Sequence, residues 1–577
     1  MSKSYKLKAG FSIVEALLAG AILALLLTAV VGAIIYGEDS AVSGGERTRA
    51  LFLAEEGLEA ARNIRNLNYS NLTDGTWGLS TSTNVWTLSG TSNTIENFNR
   101  QISIASVDSN TKTVTSTVSW RQNSTRSAST SITARLTNWL SSVGGKGGML
   151  VFGQGGVPAD TIVYRNLLSD GSWSATSTTA DIDTLTTTKA LRAVSTYSSA
   201  TRNEKIIISR HYNGSAQFIY AQVYNGGTGT WGNVQALSTW TTTNFLDVQN
   251  FSGTYLNNGD FMVIYSDNTT IPRARIWNGS AWLAQTSLTN LGTSQIPNVI
   301  VARARPGTNE VMAVFFTQGS DSITQYYNGS VWSAITNHST VAPLATKRLI
   351  DFDWSPMTTT KGAMIFANSG TDTTLTLKIW TANGTGGGSW GAVANSTASG
   401  GRLGAMSLKG RTGAEQFLAC QKDANNDIYC YRASTTPAWT SPTNNILTTT
   451  SQTGIQRSFD LAYEAISGSL GLAVYSDNTV TPKYRKYNPT TNAFDAAASS
   501  IAVAGGGVLA TVSLIPQPDT DDIMVLMGDA NNDLRSIIWD GGSDALYTTP
   551  VGKTLNLHGI TGSATTDFWY DFAWDRF

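Results

Sequence analysis

The chain has 577 residues, of which 14% are charged, with 39 basic and 40 acidic side chains. This length predicts two or more domains, and the even charge balance excludes the global positive field that favours nucleic acid or an anionic membrane surface. With 17 Trp, 20 Tyr and 18 Phe the chain has ample core material, which excludes general disorder.

The first predicted element is a long apolar helix behind a short basic leader. Three lysines lie in residues 1–10, and the uncharged stretch Ala16–Gly37 would span about 33 Å as a helix. No A-x-A-like site follows the apolar run, which disfavours a conventional signal peptide. A plain single-span anchor explains the apolar run, but it does not explain the carboxylate of Glu15 at its start, where charge is costly.

The junction of leader and helix reads Gly10-Phe11-Ser12-Ile13-Val14-Glu15. This arrangement resembles the processing site of type IV prepilins, in which basic leader, glycine, phenylalanine, glutamate and apolar helix occur together. The resemblance implies that prepilin peptidase cuts after Gly10 and that Phe11 becomes the N-methylated terminus. It also implies that Glu15 serves filament assembly by pairing with the methylated amine of Phe11 or of a neighbouring subunit. The alternative for Glu15 is a side chain that snorkels to the membrane face.

The helix is expected to continue beyond the membrane. The segment that follows has apolar residues at helical spacing and is similar to minor pilins: Leu51, Ala54, Leu58 and Ala61. We expect one helix over residues 11–67, transmembrane over 11–37. Ser43-Gly44-Gly45 is a weak point, because glycine costs about 1 kcal/mol in a helix interior.

Residues 68–140 alternate polar and apolar side chains in short runs separated by Asn, Ser and Asp. This pattern predicts a small antiparallel sheet, which the resemblance identifies as the β head of a pilin. Residues 141–147, SSVGGKG, are a flexible linker by composition.

Residues 148–577 repeat a pattern of strong strand, polar turn, second strand and tryptophan. Six tryptophans recur at spacings of 58, 51, 50, 58 and 49 residues, and two apolar substitutes continue the register: Trp173, Trp231, Trp282, Trp332, Trp390 and Trp439, then Phe494 and Leu546. A period near 50 with several strands per unit indicates a β-propeller of four-stranded blades.

The two ends of the repeat region predict how the ring closes. The first unit, residues 148–174, lacks an inner strand, whereas the C-terminal DFAWD is similar to the inner-strand sequence DFDWS at 351–355. We expect the C-terminal strand to complete the first blade, giving eight blades, with seven as the fallback. The fold class is therefore mixed: a long N-terminal helix and small β head, followed by an all-β propeller.

The chain contains two cysteines, Cys420 and Cys430. If Asp423 faces Asp427 across a hairpin, then Cys420 faces Cys430, since both pairs share a midpoint at Asn425. Facing cysteines permit a disulfide outside the cytoplasm, and a buried free pair is the alternative.

The sequence DANND occurs twice and resembles the start of a calcium loop, with six weak candidate ligands: Asp423, Asn425, Asp427, Asp529, Asn531 and Asp533. Neither copy has a glutamate at loop position twelve, where Ser434 and Asp540 stand. Hairpin turn chemistry alone explains Asp and Asn at these positions, so we expect turns, no committed metal site and no cofactor.

Two further patterns have a simple explanation. The NGS sequences at Asn213, Asn278 and Asn328 match a glycosylation acceptor but fall where a tight turn is needed. The basic pairs in RARIW and KYRKY fit solvated strand faces, which makes DNA a less favoured partner.

No motif marks a catalytic residue, and the S-x-D-x-G-x-x-W box of sialidases is absent from sequences such as SDGSW. The chain is therefore expected to be a minor or tip subunit of a type IV pilus-like filament, presenting a propeller for adhesion to a surface glycan or protein. Its precursor would lie in the cytoplasmic membrane and its mature form in a pilus at the cell surface. Two alternatives remain: a pilus- or surface-tethered polysaccharide hydrolase, and an assembly or priming subunit without a ligand.

Overall fold

The chain divides into two compact units, Met1–Val143 and Gly144–Phe577. Gly10 and Phe11, and all but the last residue of the predicted linker 141–147, lie outside the described residues. The computed structural model describes residues 12–67, 69–81, 85–108, 111–122, 125–137, 147–156, 159–169, 171–179, 189–241, 249–339, 348–384, 386–453, 457–502, 506–547, 555–557 and 569–577.

The first unit begins with helix α1, Ile13–Leu67. Ser12 and Glu15 form a capping box, in which Ser12 Oγ accepts the Val14 N–H (3.3 Å) and Glu15 Oε2 accepts the Ser12 N–H (3.1 Å). The helix runs without interruption through Ser43–Gly45, so the predicted weak point is not a break in this chain.

The two halves of α1 have opposite surroundings. Large apolar side chains are exposed from Ile13 to Tyr36. By length and composition, this is the one helix among the described residues that is apolar enough to span a membrane. The second half buries a stripe that differs from the predicted one by one residue, because Leu51 points outward and Ala50 takes its place: Ala50, Ala54, Leu58 and Ala61.

The buried stripe of α1 packs on strands β4, β5 and β6 of an antiparallel sheet with the order β2-β1-β4-β5-β6, and β3 pairs with β4. Helix and sheet approach closely at Gly57, where a Cβ atom would lie 2.3 Å from Ser116 Oγ. The elements of this unit that follow α1 are a 3-10 turn at Tyr69–Asn71 and strands β1 Gly75–Ser80, β2 Thr87–Ser89, β3 Asn93–Ile95, β4 Phe98–Asp108, β5 Thr111–Arg121 and β6 Ser127–Thr137.

The described part of the second unit forms eight antiparallel sheets, numbered sheet 1 to sheet 8 in chain order. Sheet 1 contains β7 Gly148–Gly156, β8 Ala159–Leu167 and β9 Ser177–Thr178; sheet 2 β10 Ala190–Ser198, β11 Glu204–Tyr212, β12 Gln217–Asn225 and β13 Thr230–Trp240; sheet 3 β14 Phe251–Tyr255, β15 Phe261–Tyr265, β16 Arg273–Trp277 and β17 Thr286–Ser287; sheet 4 β18 Pro297–Ala304, β19 Val311–Thr317, β20 Ser322–Tyr327 and β21 Thr336–Ser339.

The second half of the unit repeats this arrangement, with a short extra strand in each sheet. Sheet 5 contains β22 Ile350–Trp354, β23 Lys361–Phe366, β24 Thr376–Ala382, β25 Gly388–Trp390 and β26 Ala394–Asn395; sheet 6 β27 Leu403–Gly410, β28 Gln416–Asp423, β29 Ile428–Ser434, β30 Ala438–Thr440 and β31 Ile446–Thr448; sheet 7 β32 Phe459–Tyr463, β33 Gly471–Tyr475, β34 Lys483–Asn488, β35 Ala493–Phe494 and β36 Ser499–Ser500; sheet 8 β37 Leu509–Pro516, β38 Ile523–Asp529, β39 Leu534–Asp540, β40 Ala545–Leu546 and β41 Leu555–Leu557.

The last strand, β42 Tyr570–Trp574, returns to sheet 1 and pairs with β7 in the register Tyr570↔Phe152. The C-terminal strand therefore supplies the inner strand of sheet 1. Each inner strand contacts the inner strand of the next sheet, and β37 of sheet 8 contacts β42, so the sheets form a closed ring. This arrangement is a β-propeller.

The recurring aromatic residue lies opposite the third strand of each sheet, as in Tyr224↔Trp231 and Trp380↔Trp390. In three sheets the tryptophan makes an isolated bridge, and the outer strand follows it; these residues are Trp173, Trp282 and Trp332. The substitutes Phe494 and Leu546 hold the same position, opposite Tyr487 and Trp539.

Candidate functional site

Cys420 and Cys430 face each other across β28 and β29, and a disulfide joins them. Their Cα atoms lie 4.1 Å apart, and both side chains are fully buried in the cluster between sheets 6 and 7. The bond lies at the facing positions that the shared midpoint predicts. Its place in the core makes it a structural bond.

The two DANND sequences form turns in separate sheets, sheet 6 and sheet 8. Asp423 Oδ1 accepts the N–H groups of Asn425 (2.9 Å) and Asp427 (3.0 Å). Asp529 Oδ1 accepts the corresponding N–H groups of Asn531 (2.9 Å) and Asp533 (3.0 Å). Within the described ranges, no group of three or more His, Cys, Asp or Glu side chains is placed to hold a metal ion. The observed hydrogen bonds are those of hairpin turns.

The NGS sequences also form turns. Asn278 Oδ1 accepts the Ser280 N–H (3.0 Å), and Gly279 has a φ of 92°, a conformation that favours glycine. One basic side chain of each pair binds a neighbouring acid, with Arg273 Nε 2.7 Å from Asp267 Oδ2 and Lys483 Nζ 3.8 Å from Asp477 Oδ2. The other donates to a backbone carbonyl, Arg275 to Leu283 O (2.8 Å) and Arg485 to Ile446 O (3.5 Å). These contacts explain the basic pairs without a polyanion.

A cleft of about 410 Å³ lies between sheets 2 and 3, and we call it the rim cleft. Its walls are the turn before β11, the β12–β13 hairpin and the turn after β16. The side chains that give it chemistry are Arg202, Glu204, Asn225 and Trp277.

Glu204 organises the rim cleft and is 9% exposed. One carboxylate oxygen accepts hydrogen bonds from Arg202 Nη2 (2.7 Å) and the Tyr255 hydroxyl (3.3 Å), and the other accepts the Trp277 Nε1–H (3.2 Å). Burial alone would lower the pKa of Arg202, but the contact with Glu204 raises it, so the guanidinium stays charged.

One N–H donor of the rim cleft, Arg202 Nε, has no acceptor among the described residues. The Trp231 ring instead packs against Tyr164 of sheet 1, with ring centroids 5.5 Å apart. Buried donors without a partner are uncommon and indicate a missing acceptor such as a water or a ligand oxygen. Arg202 packs over Gly279, where a Cβ atom would approach the guanidinium carbon to 2.9 Å. Gly279, in the turn of sheet 3, therefore leaves space for the Arg202 guanidinium.

A second cavity, about 290 Å³, lies on the axis of the ring and is lined by the inner strands; we call it the axial cavity. Each odd-numbered sheet offers a side-chain acceptor to an inner-strand N–H of the following sheet. The four pairs are Asp571 to Thr196 (2.8 Å), Ser252 to Ala302 (3.1 Å), Asp351 to Leu408 (3.0 Å) and Asp460 to Leu514 (3.0 Å). These hydrogen bonds tie neighbouring sheets together at the axis.

Two axial carboxyls differ in acidity. Burial raises the pKa of Asp571 to about 6, although the N–H groups of Thr196 and Phe572 oppose the shift. Burial acts in the same direction on Asp460, but Arg457, Lys409 and the groups that donate hydrogen bonds to it lower its pKa below the ordinary value. Two carboxyls with pKa values shifted in opposite directions are typical of catalytic acid–base pairs. The hydrogen bonds between sheets give both carboxyls a structural role as well.

Sequence reasoning missed the rim cleft and the axial cavity. Arg202 and Glu204 stand in TRNEK, where nothing local marks them, and Glu204 lies 73 positions before Trp277. The axial charges come from separate sheets for the same reason. The Glu–Trp contact recurs as Glu464 with Trp539 (3.3 Å), so aligning the repeats was the available signal.

No protein-family model matches the chain, and no curated protein matches it. Solved structures similar to it include a lectin from Burkholderia pseudomallei, with 10% identity over 60% of this chain and 95% of the lectin and a TM-score of 0.42. Others are a periplasmic gluconolactonase from Pseudomonas aeruginosa (10% identity, 62% and 97% coverage, TM-score 0.38) and a six-bladed β-propeller lectin from Aleuria aurantia (10%, 65% and 97%, 0.33). At these identities and TM-scores, the similarities carry no function to this chain.

Proposed function

We propose that this chain is a minor or tip subunit of a type IV pilus-like filament and that its eight-bladed propeller is an adhesion module for a surface glycan. The observation that carries the filament role is the contrast within α1. Its second half packs on a sheet, whereas the half from Ile13 to Tyr36 exposes apolar side chains on all sides. Such a surface needs a bilayer or other helices to cover it, and a pilus core supplies the helices.

The disulfide supports a location outside the cytoplasm, where such bonds persist. Glu15 fits the same role in two states. In this chain it caps α1, and in a filament its carboxylate is available to the methylated amine of Phe11 of a neighbouring subunit.

The processing step predicts a defined terminus. Mass spectrometry of filaments should find the chain beginning at N-methylated Phe11, and Gly10→Val should leave the leader attached. An intact leader on assembled wild-type subunits would contradict the pilin assignment. Labelled propellers seen by microscopy at filament tips would support the tip position.

The rim cleft supports glycan binding. Its volume, about 410 Å³, suits a sugar, and Arg202, Glu204 and Asn225 supply polar groups along its lining. Arg202 Nε is a donor without an acceptor among the described residues, and sugar hydroxyls are acceptors of the right kind.

Glycan-array binding of the detergent-solubilised full chain tests this role. Arg202→Gln removes the guanidinium and should weaken the bound glycan at least tenfold. Arg273→Gln is the matched control, because the Arg273 guanidinium already binds Asp267 and lies outside the rim cleft. Equal loss in test and control variants would contradict the cleft as the site.

The hydrolase alternative has one observation in its favour, the different acidities of Asp571 and Asp460 around one cavity. Release of reducing sugar from a polysaccharide, abolished by Asp460→Asn, would replace adhesion by hydrolysis. The priming alternative makes a different prediction: deleting the propeller would abolish filaments, whereas an adhesin deletion leaves them intact but non-adhesive.

A further inference from the structure

We propose that the axial cavity is a second ligand site and that it binds a small oxyanion, such as the carboxylate of an acidic sugar. The site lies on the ring axis, apart from the rim cleft, so it neither depends on the proposed glycan site nor shares its residues. Four basic side chains from consecutive sheets line it: Arg303 of sheet 4, Arg348 of sheet 5, Lys409 of sheet 6 and Arg457 of sheet 7.

The carboxylates that line the cavity are already engaged. Asp351, Asp460 and Asp571 each accept a backbone N–H from the neighbouring sheet. Two of them also lie near a basic group, with Arg348 3.5 Å from Asp351 and Arg457 3.6 Å from Asp460. Four basic against three acidic groups leave one positive charge in excess when all are ionised.

The excess is located at Arg303 and Lys409. Neither has a carboxylate oxygen within 4.0 Å in the part of the chain that the structure describes. Both influence buried Asp353, but that carboxyl accepts the Gly410 N–H (2.8 Å), and its pKa is raised by burial. A half-buried cation without a close anion is costly, and an incoming oxyanion would offset the cost.

The basic groups also act on one another across the cavity. Burial lowers the pKa of Arg348; the charge of Asp351 opposes this shift, and the charges of Arg457 and Arg303 add to it. Repulsion among the cations around one void indicates that they surround a common point. The geometry resembles that of sites in which several guanidinium groups converge on one oxyanion.

The cavity has a charged approach. A neighbouring cavity of about 540 Å³ shares Thr196, Tyr197 and Arg303 with it and extends past the turns that follow the inner strands. The charged residues lining this approach are Arg303, Arg305 and Arg576, and no described acid lines it. Arg305 is paired with Glu310, so Arg303, which the two cavities share, supplies the charge that attracts anions towards the axis.

Isothermal titration of the full chain in neutral detergent tests the proposal with glucuronate, glucose, and inorganic sulfate. We expect glucuronate to bind and glucose not to bind. If sulfate competes with glucuronate, the site recognises the oxyanion alone. If glucuronate binds and sulfate does not compete, the site also recognises the sugar ring. Both outcomes support the site.

Arg303→Gln and Lys409→Gln should each weaken glucuronate at least tenfold, and Arg303→Lys should recover part of the loss. Arg275→Gln, on the outer side of sheet 3, is the matched control. Circular dichroism verifies folding, and Arg303→Lys keeps the test valid if the glutamine variant does not fold. Absence of binding by both anions would overturn the proposal. It would also be overturned if wild type, Arg303→Lys and Lys409→Gln all bound glucuronate with the same affinity. Arg202→Gln separates this site from the rim cleft: loss of glucuronate binding in Arg202→Gln but not in Arg303→Gln would assign the anion to the rim cleft and overturn the proposal.

Discussion

Sheets 1 and 6 are assembled in opposite ways. Sheet 6 is built from one continuous stretch, Leu403 to Thr448, and the disulfide links facing residues ten positions apart. Sheet 1 takes its inner strand from the C-terminus, and the pairing Tyr570↔Phe152 closes a loop of 418 residues (570 − 152). In a flexible chain the longer closure costs about 3 kcal/mol more conformational entropy.

The difference shows where the ring obtains its stability. The inner strand of sheet 1 is held by side chains on both neighbours. Asp571 binds sheet 2 through the Thr196 N–H, and Trp574 binds sheet 8 through Ile515 O (2.8 Å). Lys205 of sheet 2 adds an ion pair with Asp575. Contacts between sheets thus take the place of the short connections that sheet 6 has.

The largest effect is expected from deleting residues 569–577. The deletion removes four buried aromatic side chains, worth roughly 6–12 kcal/mol, which is similar to the total stability of a domain: Trp569, Tyr570, Phe572 and Trp574. Thermal unfolding should lose its cooperative transition, and a synthetic peptide of residues 569–577 should restore it. Deleting only Arg576 and Phe577 is the control. An unchanged melting temperature in the long deletion would refute the closure role.

The next effect concerns sheet 6. Replacing Cys420 and Cys430 by Ala should lower the free energy of unfolding by about 3 kcal/mol, because the ten-residue loop is no longer closed in the unfolded chain. Chemical denaturation measures the loss, and reduced wild type should show a similar one. A loss as large as that of the C-terminal deletion would mean that the disulfide, and not the local connections, holds sheet 6.

Asp571 should make sheet 1 sensitive to pH. Its folded pKa, about 6, lies above the unfolded value, so the folded state binds the proton more tightly and stability from this group decreases as pH rises through 4 to 6. Between pH 4 and pH 7 the change is about 2 kcal/mol. Asp571→Asn should therefore gain stability relative to wild type over this range. A constant difference between the two denaturation series would show that Asp571 does not titrate there.

The smallest effect is expected from Trp574→Phe, which removes the hydrogen bond to Ile515 O and should cost about 1 kcal/mol. Trp354→Phe is a matched variant at a continuous junction, since Trp354 Nε1 donates to Arg303 O (3.0 Å) from the same strand position. Equal losses in chemical denaturation would mean that the two junctions are equivalent. A much larger loss for Trp574→Phe would mean that the closing strand contributes more to the free energy of unfolding than the inner strand of sheet 5 does.

Much of the fold was predictable because its signals are local or periodic. The tryptophan repeat predicted the strands, the likeness of DFAWD to DFDWS predicted the closure, and the midpoint at Asn425 predicted the facing cysteines. One helical position was wrong: Leu51 is exposed where Ala50 is buried, since a stripe at helical spacing can shift by one residue.

The candidate sites were not predictable in the same way. Arg303 and Lys409 approach one cavity from different sheets, and Glu204 meets Trp277 only when sheets 2 and 3 stack. Their sequence neighbours are ordinary strand and turn residues. The chemistry arises from the ring geometry, which no single segment encodes.

The place of β42 has a consequence for the order of events during synthesis. The strand that completes sheet 1 is synthesised after the strands of the other seven sheets, so the ring stays open until β42 is made. Domains fold as units, and an open ring leaves the unpaired edge of β7 exposed until β42 has been made. A chain cut short before β42 lacks this strand, and its open edge exposes it to proteases and chaperones.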